Sequence, residues 1–487
     1  MERADAVAIY RQGEQACVEV LLSLSAVVEA LQGQVAALES RMEELESRLR
    51  QSSRNSSRPP SSDGLAKPPP KPRSRRRRSG RKPGGQPGSE GHHLAQVACP
   101  DEVVAHEPER CEGCGGGLGD AECVGVERRQ VFDLPPETRL VVGEHRAVRR
   151  RCGCCGTVSV GVFPGSVRAP VQYGPRLRAF VVYLAVYQHL PYERIRQLLA
   201  DRYGASLSTG TLQTIVQSGA AGLDPFLEQV RAQLERSPVV HVDETGARAA
   251  GRLHWVHEAT TATLALYRLH AKRGQEGIDA LGVLPSFSGV AVHDGFTPYR
   301  RYDCSHALCN GHHLRELTAV EEQGGQPWAS ELARLLVELN SAVEDAKQQG
   351  HTRLDPALLD RYERRYRTLV DAGLALNPEP ERTGKRGRPA QGKTRSLLLR
   401  LDHYQDDVLR FAHDFQVPFD NNQGERDLRM IKLQQKVSGC WRSTEGAAAF
   451  LALRSYIQTA RKQGQNILTV LHGVADGRPW LPAAGET

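Results

Sequence analysis

A stretch of 45 residues, from Gln51 to Ala95, constrains the fold more than any other feature of this chain. It holds eight prolines, many serines and few apolar residues, so it cannot contribute to a hydrophobic core. We therefore expect a disordered linker at residues 51–95. The chain of 487 residues should then fold as several separate domains.

The linker also carries the excess positive charge of the chain. Its eleven Lys and Arg residues and two acids give it a net charge of +9, whereas the whole chain has +7, so the remaining residues sum to −2. The strongest concentration is the run Arg75, Arg76, Arg77 and Arg78. Such a run favours binding to DNA phosphates, with a merely solvated linker as the alternative.

Composition excludes several classes of protein. Apolar runs such as Ala179–Tyr187 span nine residues, too few to cross a bilayer, and no apolar signal core follows Met1. Eleven cysteines without an export signal indicate reduced thiols and a metal site rather than disulfides. We expect a cytoplasmic, nucleoid-associated protein with no membrane partner.

Residues 1–50 are predicted to form a coiled coil. Apolar residues recur at alternating three- and four-residue steps, and we call this set the apolar seam: Leu21, Leu24, Val28, Leu31, Val35, Leu38, Met42, Leu45 and Leu49. Arg41 and Glu46 fall at g and e positions that would pair between chains. The seam predicts a homodimer or higher oligomer, with a helix packed on its own protein as the alternative.

Residues 96–165 are predicted to form a zinc-ribbon-like β module. Two Cys-x-x-Cys pairs bracket strand-like runs at Val124–Asp133 and Thr138–Arg150. Two thiolate pairs can supply the tetrahedral sulfur set that structural Zn²⁺ prefers. The predicted ligands are Cys111, Cys114, Cys152 and Cys155, with Cys154 as the alternative fourth ligand and buried free thiols as the alternative to metal.

Residues 166–236 are predicted to be a helical, helix-turn-helix-like DNA-binding domain. Pro175 opens a first helix, Pro191 opens a second that ends near Gly204, and Ser208 precedes a third. A helix, a short turn containing glycine and another capped helix fit this motif, although any small helical bundle would look similar.

From Pro238 onward, strands alternate with helices, which indicates an α/β sheet. Two apolar strands are predicted to end in acids, at Asp243 and Asp294, and Glu425 lies at a predicted helix start. Three carboxylates could hold a pair of Mg²⁺ ions, although most acids are simply solvated. The loop Asn377–Arg395 carries six basic residues and is predicted to be mobile; Lys385, Arg386 and Arg388 are expected to contact DNA.

Several motifs resemble those of DDE transposases of the insertion sequence 66 family, over nearly the whole chain. The linker motifs are Asn55–Leu65 and Arg81–Gly88. The cysteine region contributes Val131–Pro136 and Glu144–His145. The motifs beyond it are Asp243–Gly246, Asp294–Phe296 and Asp420–Arg426.

The resemblance implies an RNase H-like α/β catalytic domain with a helical insertion. Asp243, Asp294 and Glu425 would be the catalytic triad and would bind two Mg²⁺ (or Mn²⁺) ions. Lys432 lies two helical turns after Glu425 on the same face, where related integrases place a base that contacts DNA. Cys309–His312 resembles a family Cys-x-x-His segment but lacks its usual central residues, so no role is assigned to it. Gly424 replaces the family's usual Ala.

The predicted fold class is multidomain α+β. The catalytic domain would comprise residues 237–320 and 401–445, with a helical insertion at residues 321–400 and C-terminal helices at residues 446–487. The predicted function is metal-dependent DNA strand cleavage and strand transfer. The expected partner is double-stranded DNA, both the terminal inverted repeats of the element and its target, and small accessory proteins of the same element are further candidate partners. The alternatives are a catalytically inactive DNA-binding regulator and, less favoured, a general nuclease.

Overall fold

The computed structural model describes residues 3–51, 55, 94–135, 138–379 and 392–483. Within these ranges helices are combined with a five-stranded and a two-stranded sheet, which agrees with the predicted α+β class. The chain divides into two compact units. One contains Ser74–Phe163 and Arg196–Ser208, and the other contains Met1–Arg73, Pro164–Ile195 and Thr209–Thr487.

The N-terminal segment is helical as predicted. Helix α1 spans Arg3–Tyr10, and α2 spans Glu14–Arg50 as one continuous helix of 37 residues. Every residue of the apolar seam is exposed in the single chain, from 43% at Leu24 to 75% at Leu49. The helix is therefore confirmed, whereas the partner that would bury its seam stays a prediction.

Helix α2 also meets a second description. Its part Glu14–Ala36 is, among the described residues, long and apolar enough to cross a membrane by length and composition. Length and composition alone take no account of the spacing of the apolar residues. Because the seam repeats every 3.5 residues and the charged Glu29 lies between its members, the spacing favours a coiled coil.

The unit that holds both Cys-x-x-Cys pairs has little regular structure in its described residues up to Phe163. Strand β1 (Arg149–Arg151) pairs antiparallel with β2 (Val158–Val160). The longer strands predicted at Val124–Asp133 and Thr138–Arg150 are wrong except for the last residues of the second. Side chains replace ladder partners here: the Gln130 amide accepts from the Val97 backbone N–H at 2.8 Å and donates to the Val97 carbonyl at 2.9 Å.

The helices predicted between residues 166 and 236 are present. Helix α3 (Pro175–Val182) continues into a π-helical turn, Tyr183–Tyr187. Helices α4 (Tyr192–Tyr203), α5 (Thr209–Ala220) and α6 (Asp224–Glu235) follow. Proline opens α3, where its missing N–H costs no hydrogen bond. Their DNA-binding role stays a prediction.

The main sheet has the strand order β5-β4-β3-β6-β7. Its strands are β3 (Val239–Ala249), β4 (Arg252–Thr260), β5 (Ala265–His270), β6 (Val290–His293) and β7 (Ser305–Leu308). Strands β3, β4 and β5 form an antiparallel meander, whereas β6 runs parallel to β3 and β7 runs parallel to β6. The carboxyl ends of β3 and β6 therefore face the same direction.

Helices complete the sheet unit. Helix α7 (Gln275–Leu281) precedes β6. Five helices follow β7: α8 (Asn310–Gly324), α9 (Pro327–Gln348), α10 (Pro356–Leu376), α11 (Lys393–His403) and α12 (Gln405–His413). They surround a core that includes Trp328, Leu336 and Tyr366. The chain ends with α13 (Asn422–Ser438), α14 (Thr444–Lys462) and α15 (Ile467–Ala475).

Helix α14 covers the edge of the sheet. The backbone N–H groups of Ala265 and Tyr267 in edge strand β5 donate to the hydroxyls of Thr459 and Ser455, at 3.1 and 3.0 Å. An uncovered edge strand would offer these groups to another chain. Helix α14 is thus an integral part of the sheet unit.

Candidate active site

Asp243 and Asp294 lie at the same end of two adjacent strands because β3 and β6 are parallel neighbours. The last paired residues are His241 and Val292, and Asp243 and Asp294 each follow two residues later. This is the strand arrangement expected from the sequence. One detail was wrong: β3 does not end at Asp243 but continues to Ala249, paired with β4. Asp243 therefore lies where β3 leaves β6.

The turn after β6 fixes the position of Asp294. Its carboxylate Oδ1 accepts the backbone N–H of Phe296 at 2.9 Å, and the N–H of Gly295 donates to His293 Nδ1 at 3.0 Å. Gly295 has φ of +94°, a conformation that side chains with a Cβ adopt only under strain. Glycine is thus required for the tight turn that leads the chain away from the sheet behind Asp294.

The third acid, Glu425, lies in the first turn of α13, where a negative charge is favourable to the helix dipole. Its Oε1 lies 3.1 Å from Arg315 Nη2 and 3.6 Å from His312 Nδ1. Both neighbours belong to α8. The side chain of Glu425 is 27% exposed, so its carboxylate is held by protein groups and still reachable from solvent.

Asn421 connects the elements that carry the acids. It is 1% exposed, and its amide Nδ2 donates to the Val242 carbonyl at 3.0 Å while Oδ1 lies 2.7 Å from His241 Nδ1. Its backbone N–H donates to Cys309 Sγ at 3.1 Å. Asn421 therefore joins β3, the start of α8 and the start of α13. Sequence reasoning quoted Asn421 within a motif but gave it no role.

The acids act on one another electrostatically. Burial raises the pKa of Asp243 well above its ordinary value, and the negative charges of Glu244, Asp294 and Glu425 raise it further. A divalent cation bound by these carboxylates would offset both the cost of burying a charged carboxylate and the repulsion between the negative charges. The three predicted residues thus fit the oxygen ligand set of Mg²⁺.

Glu244, next to Asp243, has a different environment. Its Oε1 accepts from Arg273 Nε at 2.9 Å, and its Oε2 accepts from the Tyr299 hydroxyl at 2.6 Å. Burial raises the pKa of Glu244, while the bonds from Tyr299 and Arg273 oppose that rise. Because both of its carboxylate oxygens are bonded to protein side chains, we assign Glu244 a structural role. Within the described residues, the one hydrogen bond of the Asp243 carboxylate is from the backbone N–H of Glu244 to Oδ1, at 2.8 Å.

Two further acids near Glu425 have structural roles. Asp427 is buried, and its carboxylate accepts from Gln458 at 2.7 Å and Thr260 at 3.0 Å and pairs with Lys462 at 2.7 Å. Asp420 Oδ1 accepts the backbone N–H of Asn422 at 3.1 Å, at the start of α13. Of the acids in this segment, Glu425 is the one whose charge raises the pKa of Asp243.

Lys432 lies beside the same strand. Its Nζ donates to the Gly246 carbonyl of β3 at 2.5 Å, and burial lowers its pKa. Lys432, the residue predicted to contact DNA, thus contacts β3 at Gly246, three residues after Asp243. The other predicted DNA contacts, Arg75, Arg76, Arg77, Arg78, Lys385, Arg386 and Arg388, lie outside the described residues.

The two Cys-x-x-Cys pairs form matching turns. Cys111 N–H donates to the Gly116 carbonyl and Cys152 N–H donates to the Thr157 carbonyl, both at 2.8 Å. A glycine with φ of +74° follows the second cysteine of each turn, Gly115 after Cys114 and Gly156 after Cys155. Cys155 therefore occupies the position equivalent to Cys114, which favours it over Cys154 as the fourth ligand.

The structure leaves the predicted zinc site incomplete. A hydrogen bond with Thr157 lowers the pKa of Cys155, and hydrogen bonds from Cys114 lower that of Cys111, which suits thiolate ligands. The two pairs are not assembled into one group: among the described residues, three ligand atoms within 4.8 Å of one another occur at Cys309, His312 and Glu425. Each Cys-x-x-Cys turn by itself thus suits Zn²⁺ binding, but the two turns do not form one four-cysteine site.

Comparisons with known proteins agree with the resemblance noted in the sequence. Residues 7–95 match a family of unknown function, DUF6444. The chain is 23% identical over 403 residues to the uncharacterized protein y4jD of Sinorhizobium fredii (strain NBRC 101917 / NGR234), which covers 75% of this chain and 73% of that protein. Residues 170–449, more than half of the chain, match the Transposase IS66 family, and these residues contain all three acids. The chain belongs to the Transposase IS66 family.

Proposed function

We propose that this protein is a DDE transposase that binds the ends of its insertion sequence and catalyses metal-dependent DNA strand cleavage and strand transfer. One observation carries the proposal. Asp243, Asp294 and Glu425 come from three separate segments of the family-matched region, and the charges of the last two raise the pKa of the first. Perturbed acids of this kind concentrate at functional sites.

The sheet topology supports an RNase H-like catalytic domain. An antiparallel meander of three strands is extended by two parallel strands, and the acids lie on the central strand β3 and beside its parallel neighbour β6. Helices α9 and α10 lie within residues 321–400, the range proposed for the helical insertion that the resemblance implies. Function is argued from the acids and not from this topology, because one fold serves many activities.

In the proposed reaction, Asp243, Asp294 and Glu425 hold two Mg²⁺ ions, which would activate the attacking oxygen and stabilise the departing one. Arg315 holds the Glu425 carboxylate in place at 3.1 Å. Lys432, whose Nζ donates to the Gly246 carbonyl of β3, would be the basic residue that meets a DNA phosphate. The attacking group is water or a 3′-hydroxyl, so no Tyr or Ser nucleophile is assigned.

The remaining parts of the chain would deliver DNA to this site. We assign sequence-specific binding to the helices α4 and α5, and sequence-independent phosphate contacts to the arginine run and the basic loop. The apolar seam of α2 would join two or more chains, so that both element ends are held together. Structural Zn²⁺ at the Cys-x-x-Cys turns and a cytoplasmic, nucleoid-associated location complete the proposal.

A catalytically inactive DNA-binding regulator is the competing function. The two are separated by incubating the purified protein with linear DNA that carries both ends of the sequence flanking its gene. A transposase should cut or join the ends in Mg²⁺ but not in EDTA. A protein that binds these ends tightly and leaves every strand intact in both Mg²⁺ and Mn²⁺ would be a regulator.

A further inference from the structure

A second set of metal-ligand side chains borders the triad. The sulfur of Cys309, a ring nitrogen of His312 and a carboxylate oxygen of Glu425 all lie within 4.8 Å of one another. Cys309 is the residue before α8, His312 lies in its first turn, and Glu425 lies in the first turn of α13. Three different ligand types from two elements thus converge on one point.

The spacing of Cys309 and His312 produces this convergence. Residues three apart at a helix start lie on the same face, and the backbone N–H of His312 donates to the Cys309 carbonyl at 3.1 Å. Cys309 is 1% exposed, so its sulfur is fixed by packing and not free to rotate into solvent. Burial raises the pKa of the Cys309 thiol to about 12, and the hydrogen bond from the Asn421 N–H to Cys309 Sγ, at 3.1 Å, opposes part of that rise.

His312 provides an independent indication of a ligand. Its Nδ1 is buried and has no hydrogen-bond partner within the described structure, although it lies 3.6 Å from Glu425 Oε1. A buried ring nitrogen without a partner is costly, and native proteins rarely leave one unsatisfied. A cation between the two atoms would satisfy the nitrogen and the carboxylate together.

We propose that Cys309, His312 and Glu425 bind one borderline-soft divalent cation of the Zn²⁺ class. Thiolate, imidazole and carboxylate are the ligands that Zn²⁺ accepts together, whereas Mg²⁺ takes oxygen ligands. Binding would release the Cys309 thiol proton to solvent. Arg315, which lies 3.1 Å from Glu425 Oε1, would stay paired with that oxygen, so the other carboxylate oxygen would remain available to the Mg²⁺ of the proposed triad.

The bound cation would hold α8 against α13 and thereby fix Glu425, which the proposed triad also uses. Three protein ligands leave a fourth position open to water. The inference does not rest on strand cleavage, because metal binding is measured without DNA. It also differs from the zinc predicted at the Cys-x-x-Cys turns, which lie in the other compact unit.

The test is metal binding by the full-length protein. We expect Cys309→Ser and His312→Asn each to lose one equivalent of zinc relative to wild type, measured by elemental analysis after dialysis. His313→Asn is the matched control: His313 is also buried in α8, but its Nδ1 lies 3.2 Å from Asn310 Oδ1 and outside the cluster. It should keep all the zinc.

A second measurement remains decisive if Cys309→Ser fails to fold. In a protein with Cys111, Cys114, Cys152 and Cys155 all changed to Ser, added Co²⁺ should still give a thiolate charge-transfer band, and His312→Asn in the same background should weaken it. The inference is overturned if that background shows no such band. Equal zinc contents of the His312→Asn and His313→Asn proteins would also overturn it.

Discussion

Asp243 and Glu244 are adjacent acids whose surroundings differ in one decisive respect. Glu244 is paired with Arg273 and Tyr299, whereas the nearest charges acting on Asp243 are negative. Both residues belong to one Asp-Glu-Thr-Gly motif. Nothing in that motif shows which of the two pairs with a basic side chain inside the protein. That difference depends on Arg273, which lies 29 residues away in sequence.

A stability measurement checks this reading of Asp243. Its pKa is raised, so its protonated form stabilises the fold at low pH, and this contribution is lost as the pH rises through the raised pKa. Without metal, Asp243→Asn should therefore melt at a higher temperature than wild type at pH 8, and the difference should shrink at pH 4.

Added Mg²⁺ should stabilise wild type more than Asp243→Asn, because a cation that binds only the folded state raises its stability. Glu276→Gln, which changes an exposed acid in the first turn of α7, serves as the control and should follow wild type at both pH values. An Asp243→Asn protein that melts below wild type at pH 8 in EDTA would contradict the raised pKa.

Asn421, Cys309 and His312 show the limit of sequence reasoning at this scale. All three lie in segments that resemble family motifs, yet their contacts join positions up to 180 residues apart, such as His241 and Asn421. No local period or spacing encodes such a contact. Only the packing of α13 against β3, and the contact between the starts of α13 and α8, bring these residues together.

At the scale of elements, prediction succeeded where the pattern was long or strongly apolar. Strands β3 and β6 and helices α14 and α15 follow from β-branched runs and from periodic apolar residues. Strand β7 (Ser305–Leu308) was missed because, unlike β6 of the same length, it contains no β-branched residue. The apolar residues of Val124–Asp133 predicted a strand, but the chain there lacks a partner strand.

The matching turns at the two Cys-x-x-Cys pairs give an element-scale prediction. One zinc per chain should depend on Cys111, Cys114, Cys152 and Cys155 together, because thiolate zinc contributes directly to folding. Cys155→Ser should lose this metal, and Cys154→Ser should keep it, since Cys155 has the position equivalent to Cys114. If elemental analysis found that Cys154→Ser loses the zinc and Cys155→Ser keeps it, Cys154 would be the fourth ligand.

Helix α2 allows a test of oligomer formation. Leu31 in the apolar seam is 53% exposed in the single chain, and burying such a side chain contributes about 1.5–3 kcal/mol. Leu31→Glu should therefore shift the mass measured by light scattering toward the monomer. Leu22, which is 65% exposed but lies outside the seam, provides the control, since Leu22→Glu should leave the mass unchanged. A wild-type protein that is already monomeric would contradict the coiled coil.

For the whole molecule, charge was more readily predicted than architecture. The count of basic residues places the excess positive charge at residues 51–95, but the described structure contains almost none of that segment. The division into two compact units was not predicted, because one unit combines Ser74–Phe163 with the distant Arg196–Ser208. Local sequence patterns do not reveal that a segment packs with a part of the chain far from it in sequence.

The arginine run should act through salt-dependent affinity. Each phosphate that a basic residue neutralises adds about 0.9 to the slope of log affinity against log salt. Changing Arg75, Arg76, Arg77 and Arg78 to Ala should flatten that slope while the preference for element ends over random DNA persists. The binding assay would contradict this account if the preference disappeared and the slope stayed the same, since the run would then read bases.

The central claim is that Asp243, Asp294 and Glu425 form one catalytic unit distinct from DNA binding. The most direct measurement is strand cleavage of element-end DNA in Mg²⁺ beside equilibrium binding by the same preparations. Asp243→Asn, Asp294→Asn and Glu425→Gln should each abolish cleavage and leave binding at the wild-type level. A protein with all three substitutions should lose no more cleavage activity than a protein with one, because residues of one site fail together. Glu276→Gln should cleave like wild type, whereas a Glu425→Gln protein that also cleaved at the wild-type rate would contradict the account.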